Sequence, residues 1–363
     1  MVDTIIVGRF VGVDALAAVG STGSMVFLVN GFATGLTSGF AVLVSQKFGA
    51  KDEKGLRKAT ASAITLTVIS VIVATIVSLL GAKPLLKLMN TPENIMGDAY
   101  IYVKIIYGGI IATVAYNFIA SILRALGDSK TPLYFLIVSS VLNIILDLVF
   151  IINFKMGVAG AAYATIISQG VSAILCLIYT YKRFTILRLK KEDFNVKRRY
   201  YHKHLKIGIP MALQFSITSI GIMTVQGALN VFGSTVIASY TAASKALQLV
   251  MQPAITFGVT MATYCGQNLG AKEYGRIKEG VKECTKISII TSIIAGAVLM
   301  FLGKYFVMMF ISNPDAEVLK YAQQVLDISA IFFIPLGLIF IYRNALQGIG
   351  DSFVPMMAGA YDL

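Results

Sequence analysis

Most of the 18 acidic residues in this 363-residue chain stand in polar loops, but Asp147 lies inside the apolar run Val141-Leu142-Asn143-Ile144-Ile145-Leu146-Asp147-Leu148-Val149-Phe150. An ionised carboxylate deep in an apolar helix costs about 3 kcal/mol on insertion scales, so it requires a partner. Asn143, four residues earlier, shares its helical face and offers an amide oxygen. Asp3, near the chain start, and Thr165, in the next apolar run, add a second carboxylate and a hydroxyl. These hard oxygens suit a small alkali cation. The same set could hold a proton, because two buried carboxylates do not both stay charged without a counter-ion. The competing reading is structural: Asp147 bonds a neighbouring helix and Thr165 bonds its own backbone four residues back. Asp327, at the start of a later run, reads as an interfacial residue.

Other chemistry finds little support. Cys176, Cys265 and Cys284 have no metal-ligand spacing and read as free structural thiols. His202 and His204 fall in the most basic stretch with no third ligand and read as solvated loop residues. No Ser-His or Cys-His arrangement, metal cluster or phosphate loop supports an integral-membrane lipid-modifying enzyme, and no cofactor is implied. Met211, Met223, Met251 and Met261 with Tyr116 would make an adaptable apolar cavity lining, or else face lipid. Lys245 either faces an aqueous cavity or snorkels to the outer interface. Gly31, Gly35 and Gly39, spaced by four, read as a seam for close helix packing. Pro253 and Pro335 interrupt long apolar runs and mark bends.

These residues must be positioned by membrane helices. The chain is 56% hydrophobic and 13% charged, with a mean hydropathy of +0.77, far from the roughly 25% charge of soluble domains. Apolar runs at 16–46, 59–81, 99–123, 133–153, 157–181, 205–232, 234–266, 287–311 and 322–346 predict nine complete transmembrane helices, with shorter apolar pieces at both ends. The fold class is an all-α polytopic membrane protein. Alternate loops carry 23 against six Lys and Arg, which predicts a multi-pass cell-membrane protein whose basic loops 47–58, 182–206 and 272–286 are cytoplasmic. Orientation accounts for the net charge of +13. No soluble domain remains to bind nucleic acid, and a monomer in the lipid bilayer is expected.

The chain also repeats itself. At an offset of 221, Gly12 falls on Gly233, Ala17 on Ala238, Gln46 on Gln267 and Gly49-Ala50-Lys51 on Gly270-Ala271-Lys272. At 223, Gly127-Asp128-Ser129 with Pro132 falls on Gly350-Asp351-Ser352 with Pro355. Equivalent loops on one side make the repeats parallel, which requires an even number of helices in each half. The reading is two pseudo-symmetric six-helix bundles: residues 1–182, a basic linker 183–204, and residues 205–363. Measured against each other, the halves imply a twelve-helix parent lacking about 16 residues of its first helix and about 62 at its far end.

Met1-Val2-Asp3-Thr4-Ile5-Ile6-Val7-Gly8-Arg9, Ala17-Ala18-Val19-Gly20, Gln46-Lys47-Phe48-Gly49-Ala50 and Arg124-Ala125-Leu126-Gly127-Asp128-Ser129-Lys130-Thr131-Pro132 resemble the multidrug and toxic compound extrusion (MATE) family. So does Tyr342-Arg343-Asn344-Ala345-Leu346-Gln347-Gly348-Ile349-Gly350-Asp351 in the second half. The resemblance implies a secondary antiporter that exports organic cations or drugs in exchange for Na+ or H+. It places the coupling-ion site at Asp3, Asn143, Asp147 and Thr165, the set found above. Tyr116, Met211, Met251 and Lys245 are the candidate substrate-cavity residues. One departure is that Met211-Ala212-Leu213-Gln214-Phe215-Ser216-Ile217-Thr218 lacks the seventh-helix glutamate of the branch resembling norfloxacin exporters. A lipid-linked saccharide flippase of the same superfamily is the alternative.

Overall fold

A computed structural model of the chain describes residues 2–229, 232, 234–311 and 315–361. Among these residues there is no strand, and the α-helices are α1 (Val2–Phe10), α2 (Val13–Gly49), α3 (Glu53–Leu88), α4 (Glu93–Gly108), α5 (Ile110–Ala125), α6 (Lys130–Leu148), α7 (Gly157–Arg183), α8 (Arg198–Leu229), α9 (Ser234–Val250), α10 (Gln252–Gly270), α11 (Tyr274–Met308), α12 (Ala316–Ile331), α13 (Phe333–Ile349) and α14 (Phe353–Tyr361). Six of these helices are long and apolar enough to cross a membrane, and the bent pairs α4–α5 and α12–α13 bring the total to eight. The run expected at 234–266 is formed by α9 and α10, which meet at Met251. The outer faces stay apolar, with Val77, Leu80 and Phe301 exposed, because hydrocarbon rather than water is the solvent there.

Packing divides the chain into two compact units, Met1–Ser219 and Ile220–Leu363. In the first, α2 runs through the middle, packing on α3, α4 and α5, while α5 and α6 flank α7. In the second, α10 packs on α13, and α11 packs on α12 and α13.

The repeat is written into the backbone of both units. The amides of Ala50, Lys51 and Asp52 donate to the carbonyls of Gln46, Phe48 and Lys47, and those of Ala271, Lys272 and Glu273 donate to Gln267, Leu269 and Asn268, all at 2.9–3.2 Å. Lys51 and Lys272 both adopt a left-handed conformation, with φ of 52° and 63°. That region costs a non-glycine residue roughly 1–2 kcal/mol, so its recurrence at the same register reflects a common template. Gly127 and Gly350 likewise share a positive φ, 91° and 97°. Asp128 then accepts from the Thr131 amide at 3.0 Å and the Thr131 hydroxyl at 2.7 Å. The Gly-Asp-Ser motif is thus a device for starting a helix.

Corresponding spans also bend at corresponding points, by 44° between α4 and α5 and by 52° between α12 and α13. The chemistry differs. In the first unit Gly109 stands at the break, where a Cβ would collide with the side chain of Ile166 on α7. In the second, Pro335 lies in the first turn of α13, where its missing amide hydrogen leaves no bond unmade. Pro253 likewise lies in the first turn of α10.

The glycine seam packs as expected. A Cβ on Gly39 would stand 2.5 Å from the Gly208 Cα, and one on Gly35 would stand 2.6 Å from the Met211 carbonyl oxygen. Helices α2 and α8 therefore touch backbone to backbone. The expectation for His204 is overturned. Helix α8 begins at Arg198, so residue 204 is helical and faces inward. Its ring is fully buried, with Nε2 3.0 Å from the Ala59 carbonyl oxygen and 3.1 Å from Ser62 Oγ, and Phe40 stacks edge-on. His202 is exposed.

Candidate functional site

The oxygen-rich set assembles at the junction of α1, α6 and α7. Helix α1 packs on α2, α6 and α7, with Ile6 and Val7 fitting among Ala15, Val19, Ile151, Val158 and Ala161. This apolar knot holds Asp3 toward α6 and α7. The Thr165 hydroxyl lies 3.4 Å from Asp3 Oδ2 and donates at 3.0 Å to the Ala161 carbonyl. The Thr165 hydroxyl is a donor within reach of both Asp3 Oδ2 and the carbonyl of its own helix.

Asp147 is completely buried, and neither carboxylate oxygen has a hydrogen-bond partner among the described residues. Its side chain faces that of Asp3. Asn143 lies one turn earlier on the same helix, with its Nδ2 buried and unpartnered. The two ends of an amide are interchangeable by a half-turn, so Asn143 can present its oxygen instead. Immediately after Asp147 the helix widens into a π-turn, Val149–Asn153. Such turns are frequent at functional sites.

A buried, charged carboxylate with no donor is unstable by itself, since desolvation costs several kcal/mol that nothing repays. A proton or a small cation would relieve it. Two carboxylates, a hydroxyl and an amide oxygen supply four hard ligands for such a cation. No group of three or more His, Cys, Asp or Glu that could hold a metal ion occurs among the described residues.

Sequence reasoning missed Tyr102 on α4, which lies close enough to feel the charges of both Asp3 and Asp147. A tyrosine in an apolar run carries no signal by itself, and only the packing of α4 on α7 brings it here.

The cavity candidates are placed differently. Tyr116 is buried, and its hydroxyl donates to the Pro132 carbonyl at 2.9 Å, tying α5 to α6. Met211 is buried against Val42 and Ile207. Met251 sits at the α9–α10 joint, partly buried against the core of the second unit. Lys245 is exposed, with its ammonium 5.7 Å from the Phe310 ring beyond the end of α11. Met261 is buried against Cys265 and Ile341, and the Met223 side chain lies outside the described residues. Asp327 accepts from Gln323 Nε2 at 2.7 Å. The three cysteines are free.

The chain is a multi-pass bundle of apolar helices that buries a cluster of neutral and acidic oxygens. The MatE family model matches residues 1–149 and, separately, 210–361. The chain belongs to the MatE family of multidrug and toxic compound extrusion transporters. It is 33% identical over 354 residues to the probable multidrug resistance protein YpnP of Bacillus subtilis, covering 96% of this chain and 78% of that protein. It is 30% identical over 374 residues to the probable multidrug resistance protein YoeA of the same organism, covering 99% and 79%. Among solved structures it superimposes with a TM-score of 0.93 on an outward-facing multidrug resistance MATE family transporter of the MOP superfamily, at 23% identity over 99% of this chain and 80% of that one. A MOP superfamily transporter from Pyrococcus furiosus gives the same score and coverage.

Proposed function

We propose that this protein is a secondary active antiporter that exports small organic cations or drugs across the cytoplasmic membrane in exchange for Na+ or H+. The observation that carries the reading is the buried, unpartnered Asp147 carboxylate facing Asp3, with Asn143 and Thr165 beside it. Loading the site would cancel a repulsion between α1 and α6 and so draw these helices together. That differential stability is what ion coupling requires of a carrier that alternates access between its two bundles. The excess of basic residues in alternate loops supports a cytoplasmic placement of loops 47–58, 182–206 and 272–286. The test is efflux of a fluorescent organic cation from cells or proteoliposomes, with sodium and pH gradients imposed separately. Asp147→Asn is expected to abolish gradient-driven efflux while the protein still reaches the membrane. Efflux at the wild-type rate in that variant rejects the coupling role.

A further inference from the structure

The segment joining α7 to α8 is docked rather than slack. Two short 3-10 turns, Thr185–Leu187 and Lys191–Phe194, lie against α3, and Phe184, Ile186 and Leu187 pack onto a core containing Leu56, Ala59 and Ala63. Arg57 on α3 approaches Asp193 at 3.7 Å, and Asp193 also accepts from the Lys190 amide at 2.8 Å. Asp193 is buried. One of the two acids of the strap is thus turned inward and neutralised by a residue outside it.

What the strap presents outward is nearly all positive. Lys182, Arg183, Arg188, Lys190, Lys191, Lys197, Arg198 and Arg199 are exposed, with Glu192 the one exposed acid among residues 182–199. Two exposed aromatic side chains stand with them, Phe194 and Tyr181, and the Arg188 guanidinium lies 5.1 Å from the Tyr181 ring. The strap connects the ends of two membrane spans, so both of its ends are fixed at headgroup level. Basic and aromatic side chains side by side at that level match a lipid interface.

The geometry points to the strap as a docking surface for the anionic phospholipid headgroups of the bilayer, held in place by the Arg57–Asp193 pair and the apolar seat on α3. This inference rests on the chain spanning a membrane and is independent of the coupling site. Docking against α3 keeps the charges within one Debye length of the headgroups, about 8 Å at physiological salt, where attraction is not screened away.

The chain contains no tryptophan, so Phe194→Trp installs a single reporter on the strap. In nanodiscs of mixed phosphatidylglycerol and phosphatidylcholine, quenching is compared when one or the other lipid carries brominated acyl chains. At equal mole fraction, brominated phosphatidylglycerol is expected to quench about fivefold more effectively, as one basic contact per lipid implies. The preference should fall toward one when Lys190, Lys191 and Lys197 are changed to Gln, and at high salt. It should be absent for a reporter at Phe301→Trp, on the exposed apolar face of α11. Equal quenching by the two lipids, or a preference that survives both the Lys→Gln changes and high salt, overturns the proposal. Should the triple variant fail to fold, the salt titration of the Phe194→Trp protein decides alone. An acidic soluble partner as the true occupant would leave the lipid preference at one.

Discussion

Replacing Asp147 with Asn should stabilise the ion-free protein, against the ordinary trend that substitutions in a core destabilise. Asp147 is fully buried with both oxygens unpartnered and another carboxylate opposite. Insertion scales set the burial of the charge at about 3 kcal/mol. Two unit negative charges about 4 Å apart repel by about 4 kcal/mol at an effective dielectric constant of ~20, and the facing Asp3 carboxylate adds a repulsion of that order. Asparagine removes the charge but keeps a buried amide, whose desolvation costs about 1–3 kcal/mol unless its NH2 group finds Asp3. A net gain of at least ~2 kcal/mol follows, or about 4–8 °C in Tm for a unit of this size. With a coupling cation present the gap should narrow. The wild type gains about 2.7 kcal/mol at a hundredfold excess of cation over its Kd, a gain the variant largely forgoes. The assay is thermal unfolding of the detergent-solubilised protein at alkaline pH in choline chloride and again in sodium chloride. A variant less stable than the wild type in choline would refute the reasoning, since it would mean that the carboxylate already has a partner that compensates its charge.

Three further substitutions separate packing from transport. Gly39→Ala should destabilise by about 1–3 kcal/mol, because its Cβ meets backbone at 2.5 Å and α2 and α8 would have to part. Gly31→Ala, whose Cβ would meet Phe215 at an ordinary 3.5 Å, should change stability by less than about 0.5 kcal/mol; paired thermal melts compare the two. Tyr116→Phe should cost about 1 kcal/mol by removing the bond to the Pro132 carbonyl, yet leave the KM for a fluorescent probe substrate unchanged if the residue serves only to tie α5 to α6. A raised KM with unaltered stability would return Tyr116 to the cavity.

Much of the fold was legible because its signals are local. A span announces itself by about twenty consecutive apolar residues, and the repeated turns announce themselves through Gly127 and Gly350 and through capping acids such as Asp128, whose hydrogen bonds reach only a few residues along the chain. Asp147 was legible for the same reason: it stands out wherever its helix ends up, because a charge in an apolar run is anomalous without reference to anything else.

Tertiary structure decided what depends on which helices meet. Only the packing of α1 onto α6 and α7 brings Asp3 to Asp147 and Thr165, and only the approach of α4 adds Tyr102. His204 read as solvated because hydrophilic neighbours surround it in sequence. It is buried because a helix beginning at Arg198 rotates one face of that basic stretch onto α3 while the rest stays in water. The strap follows the same rule, since the Arg57–Asp193 pair joins residues far apart in the chain. By itself the sequence determined the periods, the turns and the types of group available for chemistry. Which of those groups share a site is set by side chains packing across helices, and no local pattern encodes that.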